Sequence, residues 1–161
     1  MTQLALGIDL ERCTGCRSCE AACKLENRLG SDVFRTRVLW LEERRADGTP
    51  HMEFVKAVCQ QCERPACVRA CPVLPRVIYK RAEDGVVVFD AERCTGCQEC
   101  LKACPYHAIS FDYEHQHIEK CTLCHERRDR GLEPACVSVC PGRALSFGPV
   151  EELQARATEG Q

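Results

Sequence analysis

The amino-acid sequence predicts an α+β protein built from two similar cysteine-rich modules with one inserted β-hairpin. Three observations support this prediction. Sixteen of the 161 residues are cysteines, and they fall into four groups of similar spacing, which is typical of a repeated supersecondary unit. Short alternating stretches, typical of strands, lie between the groups. Short segments that end at proline, which cannot continue a helix, carry the last cysteines of three groups.

The four cysteine groups share a set of short intervals. The first and third groups have two residues between successive cysteines and then three before the last one. In the second group one interval widens to four residues, and in the fourth to eleven, where residues 126–131 predict a polar surface loop. In chain order the groups are Cys13, Cys16, Cys19 and Cys23; Cys59, Cys62, Cys67 and Cys71; Cys94, Cys97, Cys100 and Cys104; and Cys121, Cys124, Cys136 and Cys140.

The segment between the first two groups predicts a β-hairpin. Residues 33–40 and 51–58 alternate well enough for two strands, and Asp47-Gly48 supplies a turn between them. We therefore expect an inserted hairpin over residues 35–58.

Shorter strands are expected beside the later groups. Residues 85–90 lead into the third group, residues 108–111 follow it, and residues 145–147 follow the fourth. The stretches around the last cysteines predict single helical turns, and residues 150–157 predict a short surface helix.

Composition limits the ways in which the protein can be stabilised. The hydrophobic fraction of 45% includes the cysteines, so the aliphatic and aromatic residues that can form a core are few for this length. Bound metal is the obvious additional source of stability. The formal net charge is −2, and four clusters at −2 each, including their thiolates, would bring it to about −10. The absence of a basic stripe and this negative field together argue against nucleic-acid binding.

The state of the cysteines depends on the compartment. The N-terminal residues meet an acid at Asp9 and show neither the pattern of a secretory signal nor a twin-arginine start. No run of 18 apolar residues predicts a membrane span. We therefore expect a cytoplasmic protein without direct membrane insertion. In that reducing compartment sixteen thiols are better explained as metal ligands than as eight disulfides.

The spacing itself points to iron–sulfur chemistry. Three cysteines at three-residue steps let one tight loop wrap a corner of a cubane, and the run C-x2-C-x2-C-x3-C-P is the bacterial ferredoxin signature. In two-cluster ferredoxins the fourth cysteine of the run ligates the other cluster. We therefore expect four [4Fe–4S] clusters on sixteen cysteines in ferredoxin-like modules. The cations that we expect near the clusters, where they would stabilise the reduced state, are Arg17, Lys24, Arg69, Lys102 and Arg143.

Two other metal chemistries share parts of this pattern. Zinc sites also use C-x2-C pairs, but they normally combine two separated pairs, whereas the first and third groups place three cysteines within seven residues. The segment from Cys121 through Cys124 to His125 matches the C-x-x-C-H attachment motif of c-type haem. Both of its cysteines are needed to complete the fourth group, so we expect His125 to be a loop residue or a neighbour of a cluster.

Several motifs resemble those of the dimethyl-sulfoxide-reductase-type iron–sulfur subunits, a family whose likeness runs from about residue 6 to about residue 153. The resemblance is carried by Cys13-Thr-Gly-Cys16, Asp84-Gly85-Val-Val-Val, Cys94-Thr-Gly-Cys97, Ala103-Cys104-Pro105-Tyr106 and Arg143-Ala144-Leu145-Ser146-Phe147-Gly148-Pro149. Similar small subunits also accompany tungsten aldehyde oxidoreductases. Some relatives replace one cysteine of the third group and carry a [3Fe–4S] cluster, whereas this sequence has all sixteen cysteines.

The resemblance implies which cysteines share a cluster, because the family pairs group one with group four and group two with group three. It implies one module from residues 4–34 and 112–150, a second module from residues 59–111, and a C-terminal tail at residues 151–161. The two modules would be related by pseudo-symmetry. The implied ligand sets are Cys13, Cys16, Cys19 and Cys140 for cluster 1; Cys23, Cys121, Cys124 and Cys136 for cluster 2; Cys59, Cys62, Cys67 and Cys104 for cluster 3; and Cys71, Cys94, Cys97 and Cys100 for cluster 4.

The implied function is electron transfer between a large molybdenum- or tungsten-pterin catalytic subunit and a further redox subunit, either a flavoprotein or a membrane quinone-reactive subunit. The sequence offers no catalytic residues of its own, since no phosphate loop and no nucleophile–base pair stands out. A free cytosolic polyferredoxin and a metalloenzyme assembly protein are the alternatives. Export while bound to a partner that carries a signal is the alternative to the cytoplasm.

Overall fold

A computed structural model describes residues 2–159 and shows an α+β protein of short elements. Within that range the strands form antiparallel pairs, each a two-stranded sheet. The strands are β1 (Leu4–Ile8), β2 (Thr36–Arg44), β3 (Pro50–Val58), β4 (Ile78–Lys80), β5 (Val87–Phe89), β6 (Ile109–Asp112), β7 (His117–Lys120) and β8 (Leu145–Pro149). The helices are α1 (Ser18–Asn27), α2 (Ala66–Ala70), α3 (Glu99–Ala103), α4 (His125–Arg128), α5 (Ala135–Ser138) and α6 (Val150–Glu159).

The first pair of strands joins the two ends of the protein. β1 pairs with β8, so that Leu4 lies opposite Pro149 and Ile8 opposite Leu145. The backbone amide of Asp9 extends the pairing by donating to the carbonyl oxygen of Ala144 at 2.8 Å. α1 packs against α5 directly beside this sheet. The first and fourth cysteine groups are therefore neighbours despite their distance in sequence.

Within residues 2–159 the apolar core consists of two small clusters that meet at the segment around β5. Because side chains alternate along an extended segment, Val87 joins one cluster with Ile78 and Ile118, while Val86 and Val88 join the other with Leu123. Burying each of these valines contributes about 1.5–3 kcal/mol relative to an exposed position. Cys71 and Cys100 belong to the first of these clusters, so the apolar core and the thiols are not separate regions.

The β2–β3 hairpin lies against the loop of the first cysteine group. Its register pairs Thr36 with Val58. The Phe54 ring covers Gly15 so closely that a Cβ atom at residue 15 would overlap it. The guanidinium of Arg17 lies 4.8 Å from the centre of the Trp40 ring, a cation–π arrangement. The hairpin thereby covers one side of this loop.

Several features differ from the expectations drawn from the sequence. β2 begins at Thr36 rather than at residue 33, and α1 extends over ten residues rather than one turn. Residues 126–131 are not simply an exposed loop, because α4 occupies their first half. The Arg128 side chain is 8% exposed, and its guanidinium donates to the Asp84 carboxylate at 2.7 Å. Ion pairs with partners 44 or more residues away are not visible in local sequence patterns.

The C-terminal segment forms the surface helix that the sequence predicts at residues 150–157. The helix is α6, and the last two residues of the expected tail lie outside the described range. Within residues 2–159, neither α6 nor any other helix combines the length and the apolar character that a membrane crossing requires.

The packing of Phe54 on Gly15 generates a testable prediction. Gly15 has φ +67°, so Gly15→Ala adds a left-handed strain of about 1–2 kcal/mol and a steric conflict with Phe54 of about 1–3 kcal/mol. We expect a loss of about 2–5 kcal/mol in the free energy of unfolding of the metal-loaded protein, measured by urea denaturation.

Gly48→Ala is the matched control, because Gly48 has φ +84° and no atom within 4 Å of the added Cβ position. It should lose only the strain contribution. Combining Gly15→Ala with Phe54→Ala should remove the steric part. Equal losses at the two glycines would show that the hairpin does not press on this loop.

Candidate iron–sulfur sites

The first candidate site combines cysteines from both ends of the protein. Cys13, Cys16 and Cys19 line one cavity together with Cys140. The first three belong to the loop before α1 and to its first turn, and Cys140 follows α5. The pairing of β1 with β8 and the contact of α1 with α5 hold these segments together. The Ala144 amide donates to the Cys140 sulfur at 3.3 Å.

The second site lies one turn further along the same face of α1. Cys23 near the end of that helix lines a cavity with Cys121, Cys124 and Cys136. The Asn27 side-chain amide donates to the Cys23 sulfur at 3.6 Å, and the Leu123 amide donates to the Cys121 sulfur at 3.4 Å. Such hydrogen bonds to ligand sulfurs influence the reduction potential of a cluster.

The third and fourth sites are formed by the middle two groups. α2 packs against α3, and this contact brings the groups together. One cavity is lined by Cys59, Cys62, Cys67 and Cys104. The other is lined by Cys71, Cys94, Cys97 and Cys100. Each of the four cavities is therefore lined by the same four cysteines that the family resemblance groups together.

One backbone feature recurs in all four groups. The residue two positions after the first cysteine has a positive φ, and these residues are Gly15 (+67°), Gln61 (+47°), Gly96 (+68°) and Leu123 (+49°). A left-handed residue at this position turns the backbone sharply, so that the next cysteine faces the same cavity. At Gln61 the strain is offset by two hydrogen bonds, one donated to the Cys121 carbonyl oxygen and one accepted from the Val87 amide.

Burial determines the protonation of several of the thiols. It raises the pKa of Cys23 to about 12, and the neighbouring Cys121 and Cys124 add to the effect. Burial likewise raises the pKa of Cys100 and of Cys136 to about 12. In the metal-free protein these thiols are neutral at physiological pH, whereas a metal ligand must be a thiolate. Bound metal has to displace their protons and supply the compensating positive charge.

The same electrostatic influences show which sites are neighbours. After burial, Cys19 of the first site is among the groups that raise the pKa of Cys136 in the second. Cys59 of the third site raises the pKa of Cys121 in the second in the same way. Cys67 of the third site raises the pKa of Cys100 in the fourth. Consecutive sites therefore lie within electrostatic reach of each other.

The donor set fits a cofactor with several metal atoms. A single zinc ion requires its sulfurs at about 2.3 Å. Within residues 2–159, no group of three or more His, Cys, Asp or Glu side chains is arranged to hold one ion. The sulfurs surround cavities instead, and a cubane places four irons at the corners of such a space. [4Fe–4S] clusters bound by the four cysteine sets above would supply one-electron redox chemistry there.

The cations expected near the sites are only partly there. Arg17 lines the first cavity. Lys24 instead donates to three carbonyl oxygens, those of Gly30, Ser31 and Val33. Lys102 lies within electrostatic reach of Cys97 in the fourth site, although it is exposed and pairs with Glu99.

Two buried cations were not expected from the sequence. Lys56 is 4% exposed and lines both the first and the second cavity. Lys120 is fully buried beside Cys121. A lysine in a short alternating strand carries no sequence signal for burial, so neither residue could have been found from the pattern alone.

The structure also shows where His125 and the C-x-x-C-H motif lie. Cys121 and Cys124 both line the second cavity with Cys23 and Cys136. His125 begins α4 directly after Cys124, and its Nδ1 atom is buried without a hydrogen-bond partner among the described residues. Burial lowers its pKa, and the nearby Arg81 lowers it further. The histidine is thus a neighbour of the second site.

Comparison with known proteins gives consistent matches. A family described as "4Fe-4S dicluster domain" matches residues 50–150, and one described as "4Fe-4S binding domain" matches residues 10–28. A tetrathionate reductase subunit of Salmonella typhimurium is 41% identical, over 94% of this protein and 60% of its own length. An anaerobic dimethyl sulfoxide reductase chain of Escherichia coli is 40% identical, over 95% of this protein and 77% of its own length. The thiosulfate reductase electron transfer subunit of Salmonella typhi is 38% identical, over 95% of this protein and 79% of its own length.

The geometry of the sites predicts that metal removal unfolds the protein. Each cavity joins segments that are distant in sequence, and the apolar clusters between them are small. Stripping the iron with 2,2′-bipyridine and ferricyanide should abolish the cooperative thermal transition and reduce the far-ultraviolet circular dichroism. Refilling with ferrous iron and sulfide under reducing conditions is the control and should restore both. An unchanged spectrum and transition after complete iron loss would contradict this coupling.

Proposed function

Because this protein belongs to the family of dimethyl-sulfoxide-reductase-type iron–sulfur subunits with 4Fe–4S dicluster domains, we propose that it relays electrons through four [4Fe–4S] clusters between a catalytic subunit and a second redox partner. One observation carries the proposal: each of the four cavities is lined by four cysteines. A cubane needs four thiolates, and the protein offers that number four times.

We further propose the ligand sets themselves. Cluster 1 is held by Cys13, Cys16, Cys19 and Cys140, and cluster 2 by Cys23, Cys121, Cys124 and Cys136. Cluster 3 is held by Cys59, Cys62, Cys67 and Cys104, and cluster 4 by Cys71, Cys94, Cys97 and Cys100. The lining of the four cavities supports these assignments. The fourth-cysteine rule of two-cluster ferredoxins supports them as well.

The ligand sets imply two ferredoxin-like modules related by pseudo-symmetry. The support comes from backbone conformation at corresponding positions of the first and third groups. Arg17 and Gln98, each one residue after the second cysteine, both have φ 60° and ψ 9°. Gly15 and Gly96, each one residue before it, have φ +67° and +68°. Residues 4–34 and 112–150 would form one module and residues 59–111 the other, with the hairpin of residues 35–58 inserted between them.

The four clusters would form an electron-transfer chain with two terminal clusters. Consecutive sites influence each other electrostatically in the order first, second, third and fourth. The first and fourth sites each contain an exposed cysteine, Cys16 and Cys97. An exposed ligand lets a partner's redox centre approach closely, so the two terminal sites are suited to exchange electrons with two different proteins.

The partners follow from the family and from the site chemistry. Clusters with four protein thiolates each leave no open metal position for a substrate, so the protein catalyses nothing on its own. The relatives are named as chains or subunits of dimethyl sulfoxide, tetrathionate and thiosulfate reductases. We therefore propose a molybdenum- or tungsten-pterin catalytic subunit at one end. A flavoprotein or a membrane quinone-reactive subunit would occupy the other end, in the cytoplasm or after joint export with a partner that carries the signal.

The crossed ligation predicts which cysteine variants act together. Cys140→Ser and Cys16→Ser should alter the same electron paramagnetic resonance signal of the dithionite-reduced protein, although these residues lie at opposite ends of the sequence. Cys136→Ser and Cys23→Ser should jointly alter a different signal. These variants serve as matched controls, because Cys136 and Cys140 come from one group. If Cys140→Ser instead changed the signal that Cys136→Ser changes, the crossing would be wrong.

The subunit role predicts stable association. Anaerobic affinity purification of the protein from its native host, without crosslinking, should recover a larger protein that contains molybdenum or tungsten, identified by mass spectrometry and metal analysis. Gel filtration should keep the two together. Recovery of the small protein alone, as a monomer that exchanges electrons with unrelated enzymes, would favour a free polyferredoxin.

A further inference from the structure

Lys56 is a buried cation without a partner among the described residues. Its side chain projects from β3, where residues 54, 56 and 58 share one face of the hairpin. The residue is 4% exposed, and its Nζ atom makes no hydrogen bond within residues 2–159. Burying an ammonium without a compensating charge is strongly unfavourable. The structure therefore calls for an anion beside Nζ.

Cysteine thiolates and the metal cluster that they would bind are the anions that the lining of the two cavities beside Lys56 offers. Lys56 lines both the first and the second cavity. The residues that line these two cavities include neither aspartate nor glutamate. Val38 and Val58, which flank Lys56 on the inner face of the hairpin, are apolar. The ammonium thus lies between two sets of four cysteines and has no other acidic neighbour among the lining residues of either cavity.

Lys120 occupies the corresponding place between the second and third sites. It is fully buried at the end of β7, and its Nζ atom donates to the carbonyl oxygens of Val87 and Cys121. Val87 lines the third cavity, and Cys121 lines the second. The described lining of the fourth cavity includes no lysine or arginine. The two buried lysines therefore lie at the boundary of the first and second sites and at that of the second and third sites.

We propose that Lys56 is a redox-tuning residue shared by the first and second clusters, and that Lys120 has the same role for the second and third. The inference rests on the proposed function, since it requires [4Fe–4S] clusters at these sites. Reduction adds one electron and takes a thiolate-ligated cluster from −2 to −3. A fixed positive charge stabilises the more negative state more strongly, so each lysine raises the reduction potential of both clusters beside it.

The test is a potentiometric titration of the four clusters in the anaerobically purified full-length protein, followed by electron paramagnetic resonance. Lys56→Met removes the charge and keeps most of the volume. For two of the four clusters, it should lower the equilibrium constant of reduction by tenfold or more. For a one-electron couple, a tenfold change lowers the reduction potential by about 59 mV. Lys120→Met should likewise lower the reduction potentials of two clusters. The two pairs should have one cluster in common, and that cluster should be the one altered by Cys136→Ser.

Lys102→Met is the matched surface control, because this lysine is 67% exposed and pairs with Glu99 close to the fourth site. Solvent screens its charge, so its shifts should be well below tenfold. The inference is wrong if the Lys56→Met protein retains all four clusters and none of their reduction potentials shifts more than in the Lys102→Met protein. Iron content must equal that of the unaltered protein, so that a shift reports charge rather than lost cofactor.

A variant that fails to assemble its clusters is also informative. In that case Lys56→Arg, which keeps the charge, is compared with Lys56→Gln, which keeps only polarity. Assembly restored by arginine alone would support the need for a cation, and assembly restored equally by glutamine would overturn it. Failure of the proposed function is a separate outcome, since the unaltered protein would then lack four reducible clusters before any lysine is changed.

Discussion

The convergence of cysteines from distant segments on common cavities determines how the two ends of this protein meet. In the first cavity Cys140 follows the other three cysteines by more than a hundred residues in sequence, and the pairing of β1 with β8 brings these segments together. The second site repeats the arrangement across α1 and α5. Metal–sulfur bonds formed across these gaps would add the stabilisation that the two small apolar clusters lack.

The negative charge of the clusters is a second constraint on the arrangement of the four sites. A protein with formal charge −2 that gains four clusters would carry about −10, much of it inside a small volume. Buried cations offset part of this charge. Lys56 and Lys120 lie where pairs of sites meet. Amides directed at sulfurs, such as those of Leu123 and Ala144, act in the same direction.

The sequence was most informative where a short interval determines local geometry. The cysteine spacing predicted which residues form the loops, because a ligand loop must turn within two residues, and all four groups do turn there with a positive φ. The α+β class and the strands at residues 51–58 and 145–147 were likewise predictable from alternation. β1 was not predicted, because its pairing depends on β8 at the other end of the sequence. The burial of Lys56 was hidden for a similar reason, since it depends on two cavities that form only in the folded protein.

Whether sixteen cysteines hold four cubanes at once can be decided by native mass spectrometry of the anaerobically purified protein. The intact protein should carry a mass increment equal to about 16 iron and 16 sulfide, in four identical steps when the clusters are lost one at a time. Zinc adducts without sulfide, or a maximum of two clusters with half of the cysteines open to alkylation, would contradict the proposed relay of four clusters.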